Sequence, residues 1–391
     1  MSSARTTEGS SPTDGLTVYQ VGGSVRDALL NLPVSDRDYV VVGADPETMI
    51  ARGFRPVGKD FPVFLHPLTH EEYALARTER KTAPGYRGFR FNASAEVTLE
   101  EDLARRDLTI NAMAIDADGQ LVDPFNGRLD LAQGRLRHVS EAFVEDPVRV
   151  LRLARFATRF PTFEIAESTL ALCHAMARSG ELDALVPERV WAELSQALMY
   201  DQPSGVILAL WDMHVLPKIW PELAHTVDSD AYRDALGALD KAAQQHAPLE
   251  VRFALVCMAM GDDAVQQSLE RLKVPNRCRH WAVWAQRHLE TLWGVRAQAA
   301  EDVLAFLQTL DVLRQPDRLT PLNALAQAWA SLAHPGGDVD EDVAFLRRVV
   351  DAMAHIDAYA LAAKGLSGPD MAAAIRKARL ACIEQGQTKS Q

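Results

Sequence analysis

The sequence predicts an α/β or α+β head followed by an all-helical remainder, and three observations carry that expectation. Short apolar runs separated by Gly, Pro and Asp fill residues 17–123. From about Glu141 the strand signals fade, and segments of helical periodicity bounded by Pro or Gly replace them. At 391 residues, 48% of them hydrophobic, the chain is long enough for two or three domains with a sizeable core.

Taken in order, residues 1–16 are polar and small and read as a disordered tail. They lack the apolar core of a secretory signal, and no run of about 18 apolar residues follows, so a cytoplasmic protein with no membrane partner is expected. Strands are expected at TVYQVGG, DYVVVG, FPVFLHP, EEYALAR, LTINAMAID and QLVDP, with helices at Val25–Leu32 and Asp45–Arg52. Helices follow at PVRVLRLARFATRF, ESTLALCHAMARSG, ERVWAELSQALMY and SGVILALWDMHVL. Linkers are expected near Arg137–Ser140, Asp201–Gly205 and the Pro-Gly-Gly of 335–337, and the stretch after Lys377 reads as frayed. No repeat of fixed period is present.

The net charge of −12 argues against a protein that coats nucleic acid non-specifically. Residues 1–160 hold 20 of the 41 basic and 23 of the 53 acidic side chains, so the first part is nearly balanced and the rest carries most of the excess. A nucleotide site is therefore expected in the first part or in a local basic groove of the second. Cys173, Cys257, Cys278 and Cys382 show no metal-ligand spacing and read as reduced thiols. The eleven histidines, His66, His138 and His214 among them, form no ligand set. Trp191, Trp211, Trp281, Trp284 and Trp293 fall in helical stretches and read as packing residues.

Three segments suggest chemistry. Gly22-Gly23-Ser24-Val25-Arg26-Asp27 follows a strand and opens a helix, which would aim backbone N–H groups at a phosphate; a plain strand-to-helix turn is the simpler account. In Ser35-Asp36-Arg37-Asp38, residues two apart on a strand share a face at roughly 6.5–7 Å between Cα atoms, which sets two carboxylates side by side. Such a pair suits Mg²⁺, although a solvated acidic turn fits the spacing equally well. Further on, Arg149, Arg152, Arg155 and Arg159 recur on one side of a helix that begins after Glu145-Asp146-Pro147. Burying that row would need anions, so a cleft facing phosphates is expected over a solvated basic stripe.

GGSVRD followed after eight residues by DRD on a strand resembles the opening signature of the DNA polymerase β-like nucleotidyltransferases. Gly58-Lys59-Asp60-Phe61, Ala76-Arg77-Thr78-Glu79-Arg80-Lys81, Arg105-Arg106-Asp107-Leu108-Thr109-Ile110-Asn111-Ala112, Asp123-Pro124-Phe125-Asn126-Gly127 and Glu145-Asp146-Pro147-Val148-Arg149 then occur in the order seen in bacterial class II CCA-adding enzymes. The resemblance runs from about Val18 to Tyr200. It implies an α+β head of polymerase β-like nucleotidyltransferase fold, a mixed sheet with flanking helices, over residues 17–140. A helical neck over 141–200 and a helical body and tail over 201–391 would follow.

It also implies addition of CCA to the 3′ end of tRNA from CTP and ATP, with Asp36 and Asp38 as catalytic ligands of Mg²⁺. Gly23, Arg26, Arg106, Arg152 and Arg155 would bind the nucleotide, and Asp146 and Arg149 would read its Watson–Crick edge. Glu71–Asn92 resembles the flexible loop that switches the pocket from C to A. A poly(A) polymerase, an enzyme adding only CC or only A, and a catalytically silent RNA-binding protein on the same scaffold are the rival readings. Many relatives carry a C-terminal phosphohydrolase domain with adjacent His-Asp metal ligands. Here the segment reads Cys257-Met258-Ala259-Met260, which predicts a degenerate domain of that kind without phosphohydrolase activity.

Overall fold

The computed structural model describes residues 11–34, 36–57, 63–81, 89–92, 95–333, 338–357, 359–360 and 366–388. Gly58–Phe61, the centre of the Glu71–Asn92 segment at 82–88, and the Pro-Gly-Gly at 335–337 lie outside them. The chain forms two compact units. One runs to Val186 and includes Asp212–Val215; the other comprises Pro187–Trp211 and Leu216–Gln391.

The first unit is built on β1 (Thr17–Val21), α1 (Gly23–Leu29), β2 (Asp38–Val42), α2 (Pro46–Ala51), β3 (Arg55–Val57), β4 (Val63–Leu65) and β5 (Glu72–Leu75). These are followed by β6 (Thr78–Lys81), β7 (Phe89–Asn92), α3 (Leu99–Ala104), β8 (Ala114–Ile115), β9 (Leu121–Val122), α4 (Gly127–Ala132) and β10 (Arg135–Leu136), then α5 (Val148–Arg159), β11 (Glu164–Ile165) and α6 (Glu167–Ser179). Seven strands form one mixed sheet in the order β3-β4-β5-β2-β1-β8-β9, antiparallel except where β2 runs parallel to β5. The alternation along β2 explains its two-sided burial. Val41 packs with Met49, Phe54, Phe64, Tyr73 and Leu75 on one face. Val40 packs with Val21, Leu103, Ala112 and Ala114 on the other.

Two expectations are revised here. LTINAMAID is only partly a strand: Thr109–Asn111 forms a 3₁₀ turn, and β8 starts at Ala114. The strand expected at EEYALAR is β5 of the main sheet, and beyond it β6 pairs with β7 as an antiparallel ribbon. Of the expected tail, Ser11–Leu16 forms a hydrogen-bonded turn whose Pro12 and Asp14 carbonyls accept from Arg52, with Leu16 packed on the core.

The second unit is helical: α7 (Pro187–Ala197), α8 (Ser204–Asp212), α9 (Leu216–Ile219), α10 (Pro221–Ala224), α11 (Asp230–Gln244), α12 (Leu249–Cys257), α13 (Asp262–Arg271), α14 (Asn276–His288), α15 (Ala300–Thr309), α16 (Leu319–Ala333), α17 (Val339–Ala354) and α18 (Gly368–Thr388). α12 is apolar nearly all round and sits at the core, where Arg252 buries its guanidinium by donating to the carbonyls of Leu198, Tyr200 and Ala247. The stretch after Lys377 is helical to Thr388 rather than frayed. Ile383 is buried, Gly386 lies against Phe345 and Val349, and the Gln387 amide donates to the carbonyls of Arg296 and Gln298. Trp281 and Trp284 pack in the core as expected, whereas Trp211 is 39% exposed. Among the described residues no helix is long and apolar enough to cross a membrane.

Candidate active site

The register of β1 collects the motifs. Val21, its last residue, pairs with Asp38 on one side and with Ala114 on the other. The Gly22–Gly23 turn, the start of β2 and the segment leading into β8 therefore share one end of the sheet. Gly22 adopts φ 73° and ψ −134°, a conformation that glycine alone takes without strain. A Cβ there would also stand 2.8 Å from Nη1 of Arg106, which would have to move aside.

Asp38 opens β2, and Asp36 lies just before the strand rather than on it, so strand alternation does not by itself align the two. Both residues are exposed, and their charges are coupled. Partial desolvation of the Asp38 carboxyl raises its pKa, Arg106 opposes that rise, and the Asp36 charge adds to it. Among the described residues no group of three or more His, Cys, Asp or Glu side chains could hold a metal.

Behind this end a chain of polar contacts runs inward. The guanidinium of Arg26 is 3% exposed and turned into the protein. Nε donates to Asp27 at 2.9 Å, Nη1 donates to Oδ1 of Asn111, and the group lies over the rings of Phe156 and Phe160 at 5.1 and 5.4 Å. Burial lowers the pKa of Arg26 against the pull of Asp27. Asn111 passes the contact on through Nδ2 to Asp107 at 2.9 Å, and Asp107 accepts from Nε of Arg152 at 2.7 Å. On the other side Asp27 accepts from Arg159 at 3.0 Å.

The arginine row of α5 is thus answered in part by the protein's own carboxylates, Asp107 and Asp27, where the sequence suggested phosphates alone. Arg149 and Arg155 are both 8% exposed. Arg149 donates to the Ala142 carbonyl at 2.6 Å, and the Arg155 guanidinium lies 4.7 Å from the Phe156 ring centre. Asp146 precedes the helix, its carboxylate accepting the Val148 N–H at 3.1 Å.

Asp27, Asp107 and Asn111 carry this framework, and sequence reasoning gave them no role. The available signal was a polar Asp and Asn four apart in an otherwise apolar segment, the spacing at which a turn lets side chains meet. The histidines are structural where their contacts are visible. Nδ1 of His66 accepts the Leu68 and Thr69 N–H groups, His138 bonds to Thr169, and His214 stacks on His174.

Known proteins share this plan. Residues 18–137 match the family model described as "Poly A polymerase head domain", and residues 162–226 match "Probable RNA and SrmB- binding site of polymerase A". The chain is 47% identical to the "Multifunctional CCA protein" of Halorhodospira halophila (strain DSM 244 / SL1), over 94% of this chain and 96% of the relative. It is 47% identical to the "CCA-adding enzyme" of Pseudomonas putida (strain W619), over 94% and 98%. The fold is similar to that of the Bacillus stearothermophilus CCA-adding enzyme in complex with CTP, with a TM-score of 0.71 at 23% identity, over 95% of this chain and 89% of the other. With identity at that level sustained over nearly its whole length, the chain belongs to the CCA-adding enzymes.

Proposed function

We propose that this protein adds cytidine and adenosine to the 3′ end of tRNA from CTP and ATP, without a nucleic-acid template and with release of pyrophosphate. The observation that supports this best is the register at Val21. It brings Asp38 and the glycine turn to one sheet end, where Asp36 lies just before the strand and Arg106 beside Gly22, and the Asp107–Arg152 bond ties that end to α5.

Asp36 and Asp38 are the catalytic carboxylates and fit Mg²⁺. Both are accessible oxygen donors, the charge of one raises the pKa of the other, and a divalent cation would relieve that repulsion. When bound, the ion lowers the pKa of the RNA 3′-hydroxyl and neutralises triphosphate charge. Gly23, Arg106, Arg152 and Arg155 receive the triphosphate, with Arg26 as an inner brace. Arginine suits phosphate through its forked donors and permanent charge.

Asp146 and Arg149 read the base. Cytosine and adenine each present an exocyclic amino donor and a ring-nitrogen acceptor, which an Asp and an Arg complement; guanine and uracil do not match both. Head (17–140), neck (141–200) and body (201–391) divide the work into chemistry, base selection and recognition of tRNA shape through backbone and 2′-hydroxyl contacts.

Incorporation of each labelled nucleotide into tRNA ending before, within and after CCA tests the reading. CTP and ATP should enter and UTP and GTP should not, and Asp36→Ala should slow the reaction by about a thousandfold. Parent-like activity of Asp36→Ala would sink the mechanism. ATP entering alone as a lengthening tail would instead mark a poly(A) polymerase, the second reading, which the description of the head-domain family favours.

A further inference from the structure

The turn ahead of α5 is held by one hydroxyl with two partners. Ser140 accepts the Ala142 N–H at 3.2 Å and so caps the 3₁₀ turn Glu141–Glu145. The same hydroxyl donates to the Ala104 carbonyl, at the end of α3, at 2.7 Å. A serine oxygen can do both at once, having one donor hydrogen and two acceptor lone pairs. At the far end of the turn Glu145 pairs with Arg105, the residue just past α3. The turn is therefore fastened to α3 twice, by Ser140 and by Glu145.

What hangs on this turn is the pair proposed to read the base. The Ala142 carbonyl, part of the capped turn, accepts Nη1 of Arg149 at 2.6 Å. The Asp146 carbonyl, one residue beyond the turn, accepts the Arg149 N–H at 3.0 Å. Because Arg149 is almost fully buried, protein acceptors, not water, fix the direction of its guanidinium. A displacement of the Ala142 carbonyl is passed to the guanidinium directly.

We infer that Ser140 is a positioning residue for base selection: by fastening the Glu141–Glu145 turn to α3 it aims Arg149 and so sets discrimination of C and A against U and G. The inference rests on the base-reading role given above to Asp146 and Arg149. Without the hydroxyl, the Ala104 carbonyl and the Ala142 N–H both lose a partner, and of the two polar ties from the turn to α3 named above the Arg105–Glu145 pair remains. A residue that served stability alone would lower the melting temperature and scale all four nucleotides equally. One that aims the reading group changes their ratio.

The test compares the full-length parent with Ser140→Ala and Ser140→Thr, measuring kcat/KM for CTP and UTP on tRNA lacking its CCA end, and for ATP and GTP on tRNA ending in CC, together with the melting temperature. Ser140→Ala should raise the UTP:CTP and GTP:ATP ratios by about fivefold, the worth of one hydrogen bond, and Ser140→Thr, which keeps the hydroxyl, should restore them. Unchanged ratios in Ser140→Ala, with all rates falling together or only the melting temperature falling, overturn the inference. Should Ser140→Ala not fold, Ser140→Asp keeps an acceptor for Ala142 but cannot donate to Ala104; it should raise the same ratios, and unchanged ratios overturn the inference equally. A parent that incorporates neither CTP nor ATP overturns the proposed function, and this inference with it; a selective parent with an indifferent Ser140 overturns the inference alone.

Discussion

Asp107 accepts from the Leu108 N–H, the Asn111 amide and the Arg152 guanidinium while only 6% exposed. Burial alone would raise its pKa, but the Arg152 charge and then the hydrogen bonds hold it well below the usual carboxylate range. The folded value thus lies beneath the unfolded value of about 3.9. The stability that Asp107 supplies is complete above that unfolded value and is lost as pH falls towards the folded one. Asp107→Asn should therefore cost about 2 kcal/mol at neutral pH. Its deficit in urea midpoint against the parent should shrink steadily below about pH 4; a deficit constant to the lowest pH at which both fold would contradict the account. Of this framework the sequence displayed the residues but not their roles. The resemblance of its motif assigns Arg26 to the nucleotide, and only the fold reveals Phe156 and Phe160 beneath it, some 130 positions away.

At the scale of elements, the 3₁₀ turn Thr109–Asn111 is held in place by α4. The Thr109 hydroxyl donates to Asp130 at 2.8 Å, and Asp130 also accepts from Arg137. The two elements approach so closely at Gly127 that a Cβ would stand 2.2 Å from the Thr109 carbonyl oxygen and 2.9 Å from Cγ of Met113. Gly127→Ala must push this turn, and Asn111 with it. We expect a loss of about 2 kcal/mol in chemical denaturation together with a raised nucleotide KM; a stable variant with parental KM would show that the turn is not shared. β1, β2 and β5 were legible because their alternation or apolar runs are strong. β3 was not, since Arg55–Val57 is exposed and contains a proline. LTIN was misread because a short buried turn and a short buried strand have the same apolar composition. Gly127 appeared only as part of a motif, since its packing depends on a residue 18 positions earlier.

In the second unit as a whole, the segment where relatives place a His-Asp metal pair ends α12 as Cys257-Met258-Ala259. Around it the space is occupied by apolar and sulfur-bearing groups. The buried Trp220 indole donates to Ser268 at 2.8 Å, the Met260 thioether lies 3.6 Å from the same hydroxyl, and Cys257 and Cys278 are buried. Burial pushes the Cys278 thiol up to about 11, which keeps it protonated and a poor ligand. The purified protein should show no metal-dependent hydrolysis of 2′,3′-cyclic nucleotides with Mg²⁺, Mn²⁺ or Ni²⁺, and turnover abolished by a chelator would refute that. The helical character of this unit was plain in the sequence. The ordered course of α18 was not, because the residues that anchor it, among them Ile383, Gly386, Gln387 and Arg376 paired with Glu301, are scattered along a helix that is otherwise exposed or half-buried.

The pairing of Val21 with both Asp38 and Ala114 has one more consequence. Neighbouring strands slide only in whole steps of about 3.4 Å, and each single step exchanges the faces. A residue inserted into or deleted from β1 would not detune the centre by degrees. It would set the acidic pair and the glycine bend out of phase and carry Val21 from the face it shares with Val40 to the opposite face of the sheet. The alignment of reacting groups is in this sense a digital quantity, stored in the length of a strand five residues long.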